Sequence, residues 1–409
     1  MEVACTNPFS SRSRFVSSSA EPIGTTFSIP RLGGGFFLGC NKRASQHVPR
    51  SLLRIILKTN QTRMGFILNK RAGIRTYASL LALSATALLS SCTTKTPQEI
   101  GVYSGRHYNT DQALYDRFTA ETGIKVKLLE AKDDALIQRL QQEGENSPAD
   151  LLILADAARL DRATDMGLFQ PIVSEQLETA VPVDLRDSRN RWFGLTRRLR
   201  APMFNSAVVN REQVSSYGAL ADPSLKGKLC LRNRRSVYNQ SLVAFMIDET
   251  GEEATRNWIQ GMVFNLAEPV FSSDTPMIRA VAQGQCGVAL ANSYYLGRLQ
   301  AGDKGEADKT LSAKVSVTWP DPVHVNITGA GVTRSSKNPD AARQLLEFLT
   351  SATSQKSYAA ANHEYPLRGQ GDDPVLQNWG PFTQATVSAE RLGELNGKAA
   401  ELMAENGWQ

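Results

Sequence analysis

Three short segments place tyrosines where an alternating strand–helix chain gathers ligands. SGRHYNTD (104–111), RNRRSVYNQS (232–241) and ANSYYLGR (291–298) each follow an apolar run that reads as a strand, and each opens a stretch that reads as a helix. In open α/β sheets that turn, outside the carboxyl end of a strand, is where ligands bind. His107, Tyr108, Tyr238, Tyr294 and Tyr295 are therefore candidates to converge on one cleft. Adjacent helical residues point about 100° apart, yet in a first turn facing a cleft both Tyr294 and Tyr295 can reach one ion. A single tyrosine is more often a surface aromatic with a hydrogen-bonded hydroxyl. Three tyrosine-bearing segments at equivalent strand ends shift the reading to a site.

Phenol chemistry then selects the metal. A phenol ionises at about pH 10, so at neutral pH it becomes a ligand only when a strongly charged hard cation displaces its proton. Ferric iron does this; zinc calls for Cys/His clusters and calcium for several carboxylates, and neither set stands at these strand ends. Phenolates favour Fe(III) over Fe(II), which makes reduction a route to release. Four phenolates around one trivalent ion leave a net negative charge that needs a neighbouring cation. Arg106, Arg198 and Arg298 are the candidates, Arg298 falling one helical turn after Tyr294. His107 is left open between coordination, a supporting hydrogen bond and solvent. A second reading is capture of an anionic small molecule or iron chelate by Arg197, Arg198, Arg200, Arg232, Arg234 and Arg235. No GxxxxGK[ST], GxSxG, HExxH or CxxC motif occurs, and GAG at 329–331 lacks the third glycine of a dinucleotide fingerprint, so nothing here requires catalysis.

The elements that must position these residues follow a βαβ rhythm. IGVYSG, IKVKLLEA and ADLLILAD read as strands, separated by an amphipathic helix over TDQALYDRFTAETG and a Gln/Leu-rich helix over 134–143. The helix AARLDRATDMG follows, with Asp156 as its expected N-cap. Over 191–209 the rhythm gives way to long extended stretches, and a second β/α series begins with KGKLCLRN (226–233). HVNITGAGVTR (324–334) returns extended before a helix over Pro339–Thr350. The fold class is thus α/β, two lobes joined by two extended crossings with a cleft between them. The expected division is 98–199 with 327–364 for lobe 1, and 200–326 with 365–409 for lobe 2 and the C-terminal helices. Cys230 and Cys286 each precede a candidate ligand by eight residues. A disulfide between side-by-side parallel strands and a pair of buried free thiols both fit that spacing.

Composition bounds the setting. The chain has 409 residues, 41% hydrophobic and 21% charged, which is the profile of a globular protein of more than one ordinary domain. Its net charge of +6 comes from the front: residues 1–92 hold 12 Lys/Arg and 2 acids, leaving 34 Lys/Arg against 38 Asp/Glu, or −4, for the rest. A nucleic-acid partner loses its support with that segment. Residues 64–92 read as an export signal, with Lys70, Arg71 and Arg75 before the apolar run 77–89. That run is shorter than the roughly 20 residues a membrane helix needs. Cys92 closes a lipoprotein-like cleavage box and is either lipidated or incidental. Residues 1–63 are Ser/Arg-rich and nearly free of acids, a transit peptide or a misassigned start. Export to the periplasm is expected, with a lipid anchor if Cys92 is modified, or an organelle compartment if 1–63 directs it there.

From about Ile100 onward the chain resembles the class II periplasmic ferric-iron-binding proteins, especially their cyanobacterial tyrosine-cluster branch. VYSGRHYNTD, ADLLILADAARL, GLTRRLRAP, LADPSLKGKLCLRN, GVALANSYYLGR, HVNITGAGV and NHEYPLR carry the resemblance. It implies one Fe(III) as cargo, held by Tyr108, Tyr238, Tyr294 and Tyr295 with His107 as a further ligand, in a monomeric protein that hands the ion to an ABC permease and its ATPase. An iron-buffering protein without a transporter is the remaining alternative. Relatives of the carboxylate-using branch place a glutamate where Ala155 stands, so their anion chemistry is not implied here. Tyr365 in NHEYPLR matches the family without being a ligand.

Overall fold

The computed structural model describes residues 98–409 apart from 107–110 and 268. The expected leader (1–63), export signal (64–92) and Cys92, and the candidate ligands His107 and Tyr108, lie outside the described residues. The strands are β1 (Glu99–Ser104), β2 (Lys125–Glu130), β3 (Leu151–Ala155), β4 (Phe193–Phe204), β5 (Leu229–Cys230), β6 (Val288–Asn292), β7 (Ser316–Val317) and β8 (Val325–Val332). They lie in the order β2-β1-β3-β8-β4-β6-β5, with β7 also on β4. Parallel pairs stand at the two ends, β2-β1-β3 on one side and β5-β6 on the other, each built by helical crossovers. Antiparallel strands β8 and β4 run between them.

Strand β4 is the joint. Phe193–Leu199 pairs with β8, whereas Arg200–Phe204 pairs with β6, so one extended segment serves two ladders in succession. All twelve of its residues are buried although three are arginines. The two extended crossings expected over 191–209 and 324–334 are β4 and β8. Their central place fits their burial: β8, like β4, is buried along its whole length, and so is the neighbouring strand β3, LLILA. The edge strand β2 alternates instead, with Lys125 and Lys127 on the more exposed side. At Gly331 in β8 a Cβ would come within 2.5 Å of the Arg191 carbonyl and of the Phe169 ring, so the close approach of neighbouring chain requires glycine.

Local starts and stops explain the helices. Asp156, at φ 92°, opens the helix Ala157–Asp165 by accepting the Ala158 N–H at 3.0 Å, the capping role expected for it. The strand expected over 226–233 shrinks to β5, because Gly227 at φ 70° ends a 3-10 turn over Pro223–Leu225. Beyond β5 the chain bends toward Phe271 in a single bridge at Arg232. Cys230 and Cys286 form a disulfide, with Cα atoms 5.9 Å apart, joining β5 to the approach to β6. The disulfide sits in an apolar core with Ala201, Met203, Ala289 and Leu296, beneath the helix Ser293–Ala301.

Candidate metal centre

Tyr238 is the second residue of the helix Val237–Thr250, and Tyr294 and Tyr295 are the second and third of Ser293–Ala301. Both helices follow strands β5 and β6, which lie side by side and parallel, so their first turns emerge at the same edge. Neither N-cap residue, Ser236 or Asn292, caps its helix through its side chain, and two positive helix ends therefore lie at the tyrosines. The Tyr294 and Tyr295 rings stack with centroids 4.3 Å apart. Arg198 from β4 lies over Tyr294 and Tyr238, its guanidinium carbon 4.9 Å from the Tyr294 centroid and 6.0 Å from that of Tyr238. Arg232 also approaches Tyr238, 5.4 Å from its centroid. Tyr294 is fully buried, while Tyr238 and Tyr295 retain partial access. A cavity of about 510 Å³ reaches the start of the Tyr238 helix at Val237 and Gln240; Asp134, Arg159, Arg162, Arg235 and Glu394 also line it, and none of the three tyrosines does.

The extended geometry of β4 decides which arginine faces the tyrosines. Side chains alternate across a strand, so Thr196, Arg198 and Arg200 share one face and Arg197 takes the other. Arg197 donates to the Pro366 carbonyl at 2.7 Å, to Gln384 at 2.6 Å and to the Gly369 carbonyl, away from the cleft. Arg198 instead meets Glu364, at 2.8 Å and 3.0 Å. The same carboxylate receives Arg106 at 2.6 Å and the Thr196 hydroxyl at 2.6 Å, and Arg106 continues to Asp111 at 2.7 Å. Burial alone would raise the Glu364 carboxyl, but Arg106 and Arg198 hold it down at about 2. Glu364 is thus an anion across the whole neutral range and fixes Arg198 over the tyrosines.

Of the residues singled out from sequence, the structure brings Tyr238, Tyr294, Tyr295 and Arg198 together. Arg106 stands one carboxylate behind them, through Glu364. Arg298 lies further along the tyrosine helix, where Asp303 is 3.7 Å away. Sequence reasoning did not assign Glu364, Asp274, Asn239 or Asn292 to the site, and placed Arg200 and Arg232 only among the arginines of an anion pocket. The signal for Arg200 was present, since it follows Arg198 by two in an extended stretch. Glu364 carried none, because its partners are more than 160 residues away in the chain.

Two α/β regions joined by long shared strands, with ligand-type side chains at converging strand ends, define a solute-binding protein of the transport class. A family model described as bacterial extracellular solute-binding protein matches residues 104–356, and the chain belongs to that family. Iron uptake protein A1 of Synechocystis is 42% identical over 357 residues, covering 84% of this chain and 99% of that protein. Iron uptake protein A2 of the same organism is 43% identical over 317 residues, 76% of this chain and 90% of its own length. A solved structure of a Trichodesmium protein (IdiA, FutA) in complex with iron and citrate superposes with a TM-score of 0.74 at 41% identity, covering 76% of this chain and all of that one.

Proposed function

We propose that this chain is the ferric-iron-binding subunit of an ABC importer, and that it holds one Fe(III) between its lobes through tyrosine phenolates. The observation that carries the reading is the cluster of Tyr238, Tyr294 and Tyr295 at two helix starts, with the Arg198 guanidinium over Tyr238 and Tyr294, and Tyr295 stacked on Tyr294. Three oxygen donors of one chemical type, positive helix ends and a pinned arginine suit a hard trivalent cation with a surplus of bound negative charge. Relatives named for iron uptake, similar over nearly their full length, support the same cargo.

In this reading Tyr108 and His107 add to the ligand set from the 104–111 turn, and Arg106, Arg198 and Arg298 compensate charge around it. The lobes divide as 98–199 with 327–364 and 200–326 with 365–409, so that β4 and β8 form the hinge. The protein acts as a carrier without catalysis, in the periplasm or an equivalent compartment, and delivers iron to a permease. A lipid anchor at Cys92 and a monomeric state belong to the same proposal.

The test is a visible absorption titration of the purified protein with chelated ferric iron, followed by dithionite. A charge-transfer band that saturates at one equivalent and bleaches on reduction supports the site. If no band appears while iron or citrate still binds, the arginine-lined anion reading takes its place.

A further inference from the structure

Arg200 is buried without exposed surface, and its guanidinium reaches four acceptors. It donates to Asp274 at 3.1 Å, to the Asn292 side-chain carbonyl at 3.0 Å, to that of Asn239 at 2.5 Å, and to the Leu290 carbonyl at 2.9 Å. Asn239 directly follows Tyr238, and Asn292 lies two residues before Tyr294. One side chain from β4 therefore ties the first turns of both tyrosine-bearing helices. Asn239 extends the tie by donating to the carbonyls of Arg232 and Asn233, the loop that delivers Tyr238. From the C-terminus, the Trp408 ring N–H donates to the same Arg232 carbonyl at 2.8 Å.

Charge distinguishes this hub from an ordinary buried network. Asp274 takes Arg200 on one oxygen and Arg232 on the other, at 2.6 Å, so among the described residues two guanidiniums share one carboxylate and a single positive charge is left over. That surplus lies beside Tyr238 through Arg232, whose charged form burial disfavours but Asp274, Tyr295 and Tyr238 favour. A phenolate set around Fe(III) has the complementary excess.

We propose that Arg200 is the positioning residue of the tyrosine site, holding Tyr238 and the Tyr294–Tyr295 pair in one geometry, and that Arg232, anchored by the shared Asp274, balances the negative charge of the iron-loaded site. The inference rests on the reading of these tyrosines as ferric ligands. It predicts opposite redox effects for its two parts. Arg232→Gln removes a cation from a site that is more negative when reduced, so the midpoint potential of the bound iron falls. Affinity for Fe(III) weakens about tenfold, a size expected for one partly screened charge at this range. Asn292→Ala loosens the Tyr294–Tyr295 turn; weaker phenolate ligation shifts the charge-transfer band and raises the potential, since phenolates favour Fe(III).

The experiment is a titration of wild-type protein, Arg232→Gln and Asn292→Ala with ferric nitrilotriacetate, followed by spectrally monitored reductive titration, with circular dichroism as the check on folding. Potentials that move in opposite directions from wild type bear the inference out. A wild-type band with both variants indistinguishable from it, or a potential that rises in Arg232→Gln, overturns the inference while leaving the iron reading intact. A wild-type protein that binds iron without a phenolate band overturns the ligand reading itself. Arg232 is partly exposed and its loss leaves the Arg200–Asp274 pair in place, so its variant decides the charge role even if Asn292→Ala fails to fold.

Discussion

Arg198 and Arg200 stand two residues apart on one face of β4, both buried, and their surroundings differ in sign. Around Arg198, the guanidiniums of Arg198 and Arg106 meet the carboxylates of Glu364 and Asp111, two charges against two. Around Arg200, the guanidiniums of Arg200 and Arg232 share Asp274, the one carboxylate they meet among the described residues. In the first region the described acids match the guanidiniums in number, and Glu364 braces Arg198 against the tyrosines. Among the described residues the second carries one positive charge more than its acids balance, which is the arrangement expected of a place that receives negative charge later. The same residue type on the same strand face thus takes two roles, set by how many carboxylates the fold brings to it.

The comparison breaks most readily at its shared carboxylates. Glu364→Ala leaves two buried guanidiniums facing each other and should cost about 3–5 kcal/mol, measured by urea unfolding of the iron-free protein. A loss under about 1 kcal/mol would show that the brace is not structural. On the other side, replacing Cys230 and Cys286 by serine removes the staple between the strands that carry the tyrosines. Stability should fall by about 2–4 kcal/mol in the same assay. Tyr295→Phe removes only a hydroxyl, so unfolding stays within about 0.5 kcal/mol of wild type. Its competition titration against citrate should show iron affinity lower by about 100-fold, or about 2.7 kcal/mol; unchanged affinity removes Tyr295 from the ligand set.

Acid should separate the two sides as well. Glu364 is held at about 2, so the stability it contributes is fully present above the ordinary carboxylate range and is lost as the pH falls from 4.5 through about 2. His324 lies on the Arg200 side, where burial and then Arg200 push it down to about 3. The unfolded chain takes up that proton near pH 6.5 and the folded protein does not, so stability falls as the pH drops from about 6.5 toward 3. Asp156 has the opposite sign: burial lifts it to about 7, so its contribution is lost as the pH rises through the same interval. Removing the histidine with His324→Gln should therefore make the folded state relatively more stable at pH 4.5 than at pH 7, compared with wild type. Identical pH slopes for the two proteins would contradict this assignment. The smallest effect belongs to Arg298→Gln, whose 3.7 Å approach to Asp303 is partly exposed: under about 1 kcal/mol in stability by the same unfolding assay.

Much of the architecture was legible because its signals are local. Continuous apolar runs such as LLILA, capping at Asp156 and the Pro339–Thr350 helix each declare themselves within a few residues. The expected 226–233 strand was too long, because a glycine turn and a bend toward Phe271 cut it at both ends. The helices Glu252–Phe264 and Asp274–Ala282 were not read at all, though the second supplies Asp274. Candidate ligands were visible as tyrosines after strands. Their supporting residues were not, since Glu364 and Asp274 are ordinary acids until distant arginines arrive.

By itself the sequence determined the α/β class, the two extended crossings, the edge at which Tyr238, Tyr294 and Tyr295 emerge, and the chemistry that phenol oxygens select. These follow from periodicity and side-chain type, which act over one helix turn or one strand. Only the tertiary structure decided which arginine lies against the tyrosines, that Arg198 meets Glu364 while Arg200 shares Asp274 with Arg232, and that Asn239 and Asn292 meet on one guanidinium. Those outcomes depend on contacts between residues from 39 to more than 160 positions apart, where no local preference acts and only the packed strand β4 sets the distances.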